Sequence, residues 1–131
     1  MLYAMDRQWW DRHLADCAGF AGELVAPHQI HGVRQERFNH NHNSGAGAIA
    51  LAAHWGARRV ILLGYDCQRT GGQAHWHGDH PEGLANAGSI ARWPAQFQRL
   101  IPQLRGVEVI NASRETALTV FPRATLESLL T

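Results

Sequence analysis

The unbroken apolar run Val60-Ile61-Leu62-Leu63, stopped at once by Gly64-Tyr65-Asp66, constrains the fold of this chain more than any other feature. Four residues are too few for a buried helix, and the run opens with β-branched Val and Ile, which suit a strand. It alternates with no polar residue, so it reads as a central parallel strand covered on both faces. Parallel neighbours are joined by crossovers, usually helices, so the segments on either side should be helical.

The rest of the chain fits that demand. Leu2 to Met5 reads as a short strand ending at Asp6. Beyond it Trp10, Leu14 and Cys17 recur at helical spacing, with Asp6 as N-cap. Glu23-Leu24-Val25 is a second strand, stopped by Pro27. The polar stretch from His28 to Asn43 is mostly loop, with a short strand near Val33. A helix starts at Ser44, carries Ile49, Ala50, Ala53 and His54 on one side, and is closed by Gly56. After the apolar strand comes a long loop, 64–86, of the kind that in small domains is usually functional or disordered. Ile90, Phe97, Leu100 and Leu104 then mark a helix with Pro94 in its first turn, which Pro102 should kink or end. Val107 to Asn111 is another strand and Thr125 to Leu130 a closing helix. Helices alternating with short apolar strands predict a single α/β domain over residues 1–131. Its expected fold is Rossmann-like, a mostly parallel sheet flanked by helices.

Composition narrows the chemistry. The chain has 131 residues, 45% of them apolar and 18% charged, which suits one soluble globular core. A formal charge of +1, with the basic residues scattered, gives no case for nucleic-acid binding. No apolar run reaches membrane-span length, and the N-terminus lacks the apolar core of a signal peptide, so a cytoplasmic protein is expected. Cys17 and Cys67 lack CxxC spacing and read as free thiols. All twelve basic residues are Arg. The absence of Lys excludes Schiff-base chemistry and the P-loop lysine.

In open parallel sheets, ligands bind beyond the carboxyl ends of the strands. Asp6, Asp66 and Asn111 end strands here, and Asn43-Ser44-Gly45 begins the small-residue helix. Its free N–H groups and dipole favour an anion. Gly45 and Gly47 would either admit a ligand closely or only permit tight helix packing. Gly45-Ala46-Gly47-Ala48-Ile49-Ala50 fits a loose dinucleotide pattern, but no apolar strand precedes it, which removes the context that motif needs.

His75-Trp76-His77-Gly78-Asp79-His80 packs three imidazoles and a carboxylate into six residues. Its letters match H-x-H-x-D-H of metallo-β-lactamase-type hydrolases. Those sites need further His and Asp ligands downstream, and no His or Asp follows His80, so a complete binuclear site cannot form from one chain. His75, His77 and Asp79 share parity in an extended segment and could hold one zinc with water. Neutral imidazoles bonded to Asp79 or to backbone fit the same letters without metal. His40 and His42 could face this loop across the same crevice. His13 and His54 read as core or surface residues.

Taken together, Asn43-Ser44-Gly45, the segment from Gly56 to Asp66, His75 to Pro81, Gly106 to Asn111 and Phe121-Pro122-Arg123 resemble a family of small phage-encoded proteins of unassigned biochemistry. More distantly the chain is similar to a superfamily of bacterial sialyltransferases, motility-accessory glycosyltransferases and MptE-type hydroxymethylpterin diphosphokinases. The resemblance implies a nucleotide or nucleotide-sugar ligand, with Ser44 and Gly45 cradling phosphate or ribose and Asp66 lining the pocket. It aligns His75, Trp76 and Gly78 with a catalytic loop whose base position falls on Asp79, with His80 adjacent. Compared with that fold the chain begins after the usual first strand. This implies a shortened site, either without turnover or completed by a neighbouring subunit. A glycosyltransferase-like domain in the host cytoplasm is therefore expected, against a non-catalytic phage accessory protein and a metal-dependent hydrolase as alternatives. The adjacent pair Trp9-Trp10 and an uncovered edge at Leu2 to Met5 predict a homo-oligomer.

Overall fold

The computed structural model describes residues 1–73, 78–80, 82, 84 and 87–131. Every strand pairing within its two sheets is parallel. β1 (Leu2–Tyr3), β2 (Leu24–Ala26) and β3 (Arg34–Gln35) form one sheet in that order. β4 (Arg59–Leu62) and β5 (Glu108–Asn111) form a second, in register from Arg59↔Glu108 to Leu62↔Asn111. The chain is thus a mixed α/β structure whose strands lie in two short parallel sheets, where the sequence predicts one.

Among the described residues four α-helices connect and flank these strands. α1 (Arg7–His13) follows β1 and runs into a 3-10 turn at Ala15–Gly19. Trp10 and Cys17 are buried with Ala26 and Val33, and Leu14 packs against them, so the predicted apolar stripe faces the first sheet. Trp10 is fully buried and donates its indole N–H to the Ala4 carbonyl at 3.0 Å. Its neighbour Trp9 packs edge-on against it, with ring centroids 5.0 Å apart, and against the same cluster. The tandem tryptophans therefore share one core instead of leaving one ring stranded.

α2 (Ser44–His54) carries the larger core. Ala46, Ile49 and Ala50 meet Leu62, Val109, Phe97, Leu100 and Leu104 in a single apolar cluster. Burial of each large side chain contributes about 1.5–3 kcal/mol relative to exposure. The helix stops in a Schellman motif: Gly56 N–H bonds to Ala53 and Ala57 N–H to Ala52, with Gly56 at φ +88°. α3 (Trp93–Gln98) ends before the 3-10 turn Ile101–Gln103, which contains Pro102. α4 (Leu126–Leu129) is capped by the Thr125 hydroxyl, which accepts from Ser128 N–H.

β4 departs from expectation. Leu62 is buried, but Leu63 is 58% exposed, so the run is not covered on both faces. Val60 and Leu62 point to the α2 cluster, whereas Leu63 opens onto a groove it shares with Leu126. Among the described residues no helix is long and apolar enough to cross a membrane.

Candidate functional site

A cleft of about 640 Å³ opens where the carboxyl ends of β1 and β4 meet the start of α2. Tyr3 of β1 and, just after it, Met5 and Asp6 line one side; Gly64, Tyr65, Asp66 and Cys67, which follow β4, line another. His42, Asn43, Ser44 and Gly45 form one wall, Trp93 and Phe97 stand behind, and His80 closes the lining. β1 to β3 belong to one sheet and β4 and β5 to the other, and α2 follows the first and precedes the second, so the cleft lies where strand ends of both sheets meet the start of α2.

The α2 end of the cleft is held by a chain of hydrogen bonds. Asn43 is the N-cap, and its Oδ1 accepts from Ala46 N–H at 2.9 Å. Its Nδ2 donates to Gln96 Oε1, and Gln96 Nε2 donates to the His42 carbonyl, each at 3.1 Å. The His42 N–H in turn donates to His40 Nδ1 at 3.1 Å. Asn41 and His42 both sit at φ 53°, a left-handed conformation that such cross-links keep in place.

The two glycines of α2 serve packing. A Cβ on Gly45 would lie 3.0 Å from the Tyr65 ring and 3.3 Å from Phe97, and Tyr65 donates its hydroxyl to the Gly45 carbonyl at 3.1 Å. A Cβ on Gly47 would collide with the Tyr3 hydroxyl. Of the two readings of these glycines, close aromatic packing is the one the geometry supports. Tyr65 is further fixed by its N–H to Ser113 Oγ and by its carbonyl, which accepts from Thr116.

The cleft is electrostatically lopsided. Asp6 and Asp66 supply carboxylates, yet among the described residues no arginine lines it. Asp6 occupies the N-cap of α1 without a side-chain capping bond, which leaves its carboxylate facing the cleft. Asp66 Oδ2 accepts from the Thr70 hydroxyl at 3.0 Å. Burial pushes the Tyr65 phenol up to about 12 and, with Asp66 adding to it, the Cys67 thiol up to about 11. Cys67 is therefore not an activated thiolate at neutral pH. Cys17 and Cys67 are both free, as the sequence predicts.

Of the residues singled out from sequence, Asp6, Asn43, Ser44, Gly45, Asp66 and His80 share this cleft. Asn111 does not line it. It is fully buried, its Nδ2 donating to Thr116 and its Oδ1 accepting from Ser113 N–H, so it builds the turn after β5. Asp79 is exposed and also stands outside the lining. His75 and His77 lie outside the described residues, so of the candidate zinc set only Asp79 is described. Among the described residues no three His, Cys, Asp or Glu side chains are arranged to hold a metal. His42, expected in this crevice from the sequence, also lines the cleft, whereas Tyr3, Tyr65, Trp93 and Phe97 were not apparent as site residues. Only the position of Tyr65 directly after a strand signalled it. No protein-family model matches this chain, and neither a curated protein nor a solved structure matches it significantly.

Proposed function

We propose that the chain is a nucleotide- or nucleotide-sugar-binding domain of the glycosyltransferase-like, phage-encoded kind, with a Rossmann-like arrangement and the cleft as its site. One observation carries the reading: two strand carboxyl ends, a helix N-terminus, Asp66 and His80 converge on one concave surface. Ser44 and Gly45 offer backbone N–H groups to a phosphate, the Asp6 and Asp66 carboxylates suit sugar or ribose hydroxyls, and the Trp93 face suits a base. His80 is the general base towards an acceptor hydroxyl. Thermal-shift titration with CMP, CDP, UDP, GDP and their sugars tests this. A saturable rise in melting temperature that Asp66→Asn weakens is expected, and no rise at millimolar nucleotide rejects the reading.

A non-catalytic binding protein is favoured by a different observation: Asp79, at the base position, lies outside the cleft lining. Saturable binding without consumption of any sugar donor, unchanged in His80→Ala, would select it. The partner strand on one edge of β1 is β2, and among the described residues its other edge is unpaired. That edge supports the homo-oligomer we also propose, which light scattering at high micromolar concentration should detect and which a monomer there would reject.

A further inference from the structure

On the far side of Gly64 lies a second cavity, of about 530 Å³, at the carboxyl ends of both β4 and β5. Gly64 lines both cavities, so the end of β4 is the wall between them. Their charges are opposed. Among the described residues the first is lined by Asp6 and Asp66 and by no arginine, whereas the second is lined by Arg114 and Arg123.

Arg123 is fixed in place. The backbone beside it bridges to Asn111 at the end of β5: Asn111 N–H donates to the Pro122 carbonyl and Ala124 N–H to the Asn111 carbonyl. One terminal nitrogen of its guanidinium, Nη2, donates to the carbonyls of Ser113 at 3.2 Å and Arg114 at 3.0 Å. Those bonds orient the planar group and use only one of its three nitrogens. Nε and Nη1 keep N–H donors on separate edges of the group, each able to donate singly to an oxygen of an anion. Glu127 also lines the cavity, yet among the described residues neither Arg114 nor Arg123 forms an ion pair.

We propose that this groove is an oxyanion site, taking a phosphate or carboxylate group between Arg114 and Arg123. Leu63, 58% exposed at its margin, offers an apolar surface to whatever carries the anion. Ser113 joins the groove to the cleft: its carbonyl accepts from Arg123 while its Oγ accepts from Tyr65 N–H. A ligand reaching over Gly64 would thus have its hydroxyl-bearing part among the carboxylates and its anionic part among the arginines. The oxyanion site itself does not depend on the nucleotide reading.

Amide chemical shifts recorded during separate titrations with pyrophosphate and succinate provide the test. Saturable shifts at Gly64, Ser113, Arg114 and Arg123 are expected, weakened at least tenfold by Arg114→Gln and by raised salt. Arg123→Lys keeps the charge but loses the planar group that spans the Ser113 and Arg114 carbonyls and its remaining N–H donors, and should weaken pyrophosphate binding, with the Tyr65 amide shift recording whether Ser113 has moved. A response to pyrophosphate alone assigns a phosphate site, and a response to succinate as well assigns a general oxyanion site. No saturable shift in the groove with either ion, or full affinity in Arg114→Gln, overturns the proposal. Nucleotide failing to shift the cleft residues while pyrophosphate still fills the groove would reject only the nucleotide reading.

Discussion

The two sheets rest on unequal foundations. Around β4 and β5, ten described residues are buried in one cluster drawn from α2, α3, both strands and the segment after β5. Around β1 to β3, four described residues are buried together, and Trp10 is by far the largest. The difference teaches where the cleft is vulnerable. One lip is anchored in a redundant core, and the other hangs on one indole and on its contact with α2.

The most severe test removes that indole. Trp10→Ala deletes a fully buried ring and orphans the Ala4 carbonyl, and should destabilise the protein by about 3–5 kcal/mol. Hydrogen exchange locates the damage: amides of β1 and β2 should lose protection while those of β4 and β5 retain it. Equal loss in both sheets would show one cooperative unit and remove the contrast between them.

Gly47→Ala tests the contact between the halves. The new Cβ collides with the Tyr3 hydroxyl and comes within 3.2 Å of His40 Cβ, so about 1–3 kcal/mol of destabilisation is expected. The Tyr3 hydroxyl is buried and, among the described residues, has no hydrogen-bond partner. Tyr3→Phe should therefore be neutral or stabilising by itself and should recover part of the Gly47→Ala loss. Strict additivity in that double-mutant cycle would mean that α2 and β1 are not pressed together as described. Asn43→Ala, which removes the cap of α2 and its tie to Gln96, should cost about 1 kcal/mol. Its effect should fall on cleft ligands as well as on melting temperature.

What was legible in the sequence follows the range of the forces involved. The start of α2 at Ser44, the glycine stop at Gly56 and the end of α3 before Pro102 are decided by neighbours within one turn of chain, and each was apparent from residue order. The apolar spacing of Trp10, Leu14 and Cys17 gave the buried face of α1 for the same reason. Long-range choices were not legible. Tyr65 and Phe97 reach α2 across 20 and more residues of chain to occupy the space above Gly45, and no local pattern announces that pairing. Asn111 was misleading because a polar residue ending a strand can turn outward to a ligand or inward to the following turn. Here Thr116 and Ser113 draw it inward. Leu63 belongs to an apolar run, yet side-chain alternation points it away from the helices that cover Leu62.

The mildest expected effect is one of pH, and it acts on the weaker lip of the cleft. His40 lies between His42 and His28, with ring centroids 5.0 and 6.2 Å away, and its Cβ lies close to Gly47. Burial holds its pKa below the ordinary 6.5, the His42 and His28 charges lower it further, and Asp6 opposes them. Because Nδ1 accepts from His42 N–H, the neutral ring carries its hydrogen on Nε2, and an added proton must displace that bond. The unfolded chain then binds a proton more readily than the folded one. Stability from this group is fully present above pH 6.5 and is lost as pH falls through the lowered folded-state value. Melting temperature should decline on acidification below that range, and less steeply in His40→Asn, whose side-chain oxygen can accept from the same N–H without titrating. Protection of the Asn43 and Ala46 amides should fall with it, since the turn at Asn41 and His42 presents the cap. Identical acid profiles for the wild type and His40→Asn would place the pH sensitivity elsewhere and leave the α2 end of the cleft indifferent to this histidine.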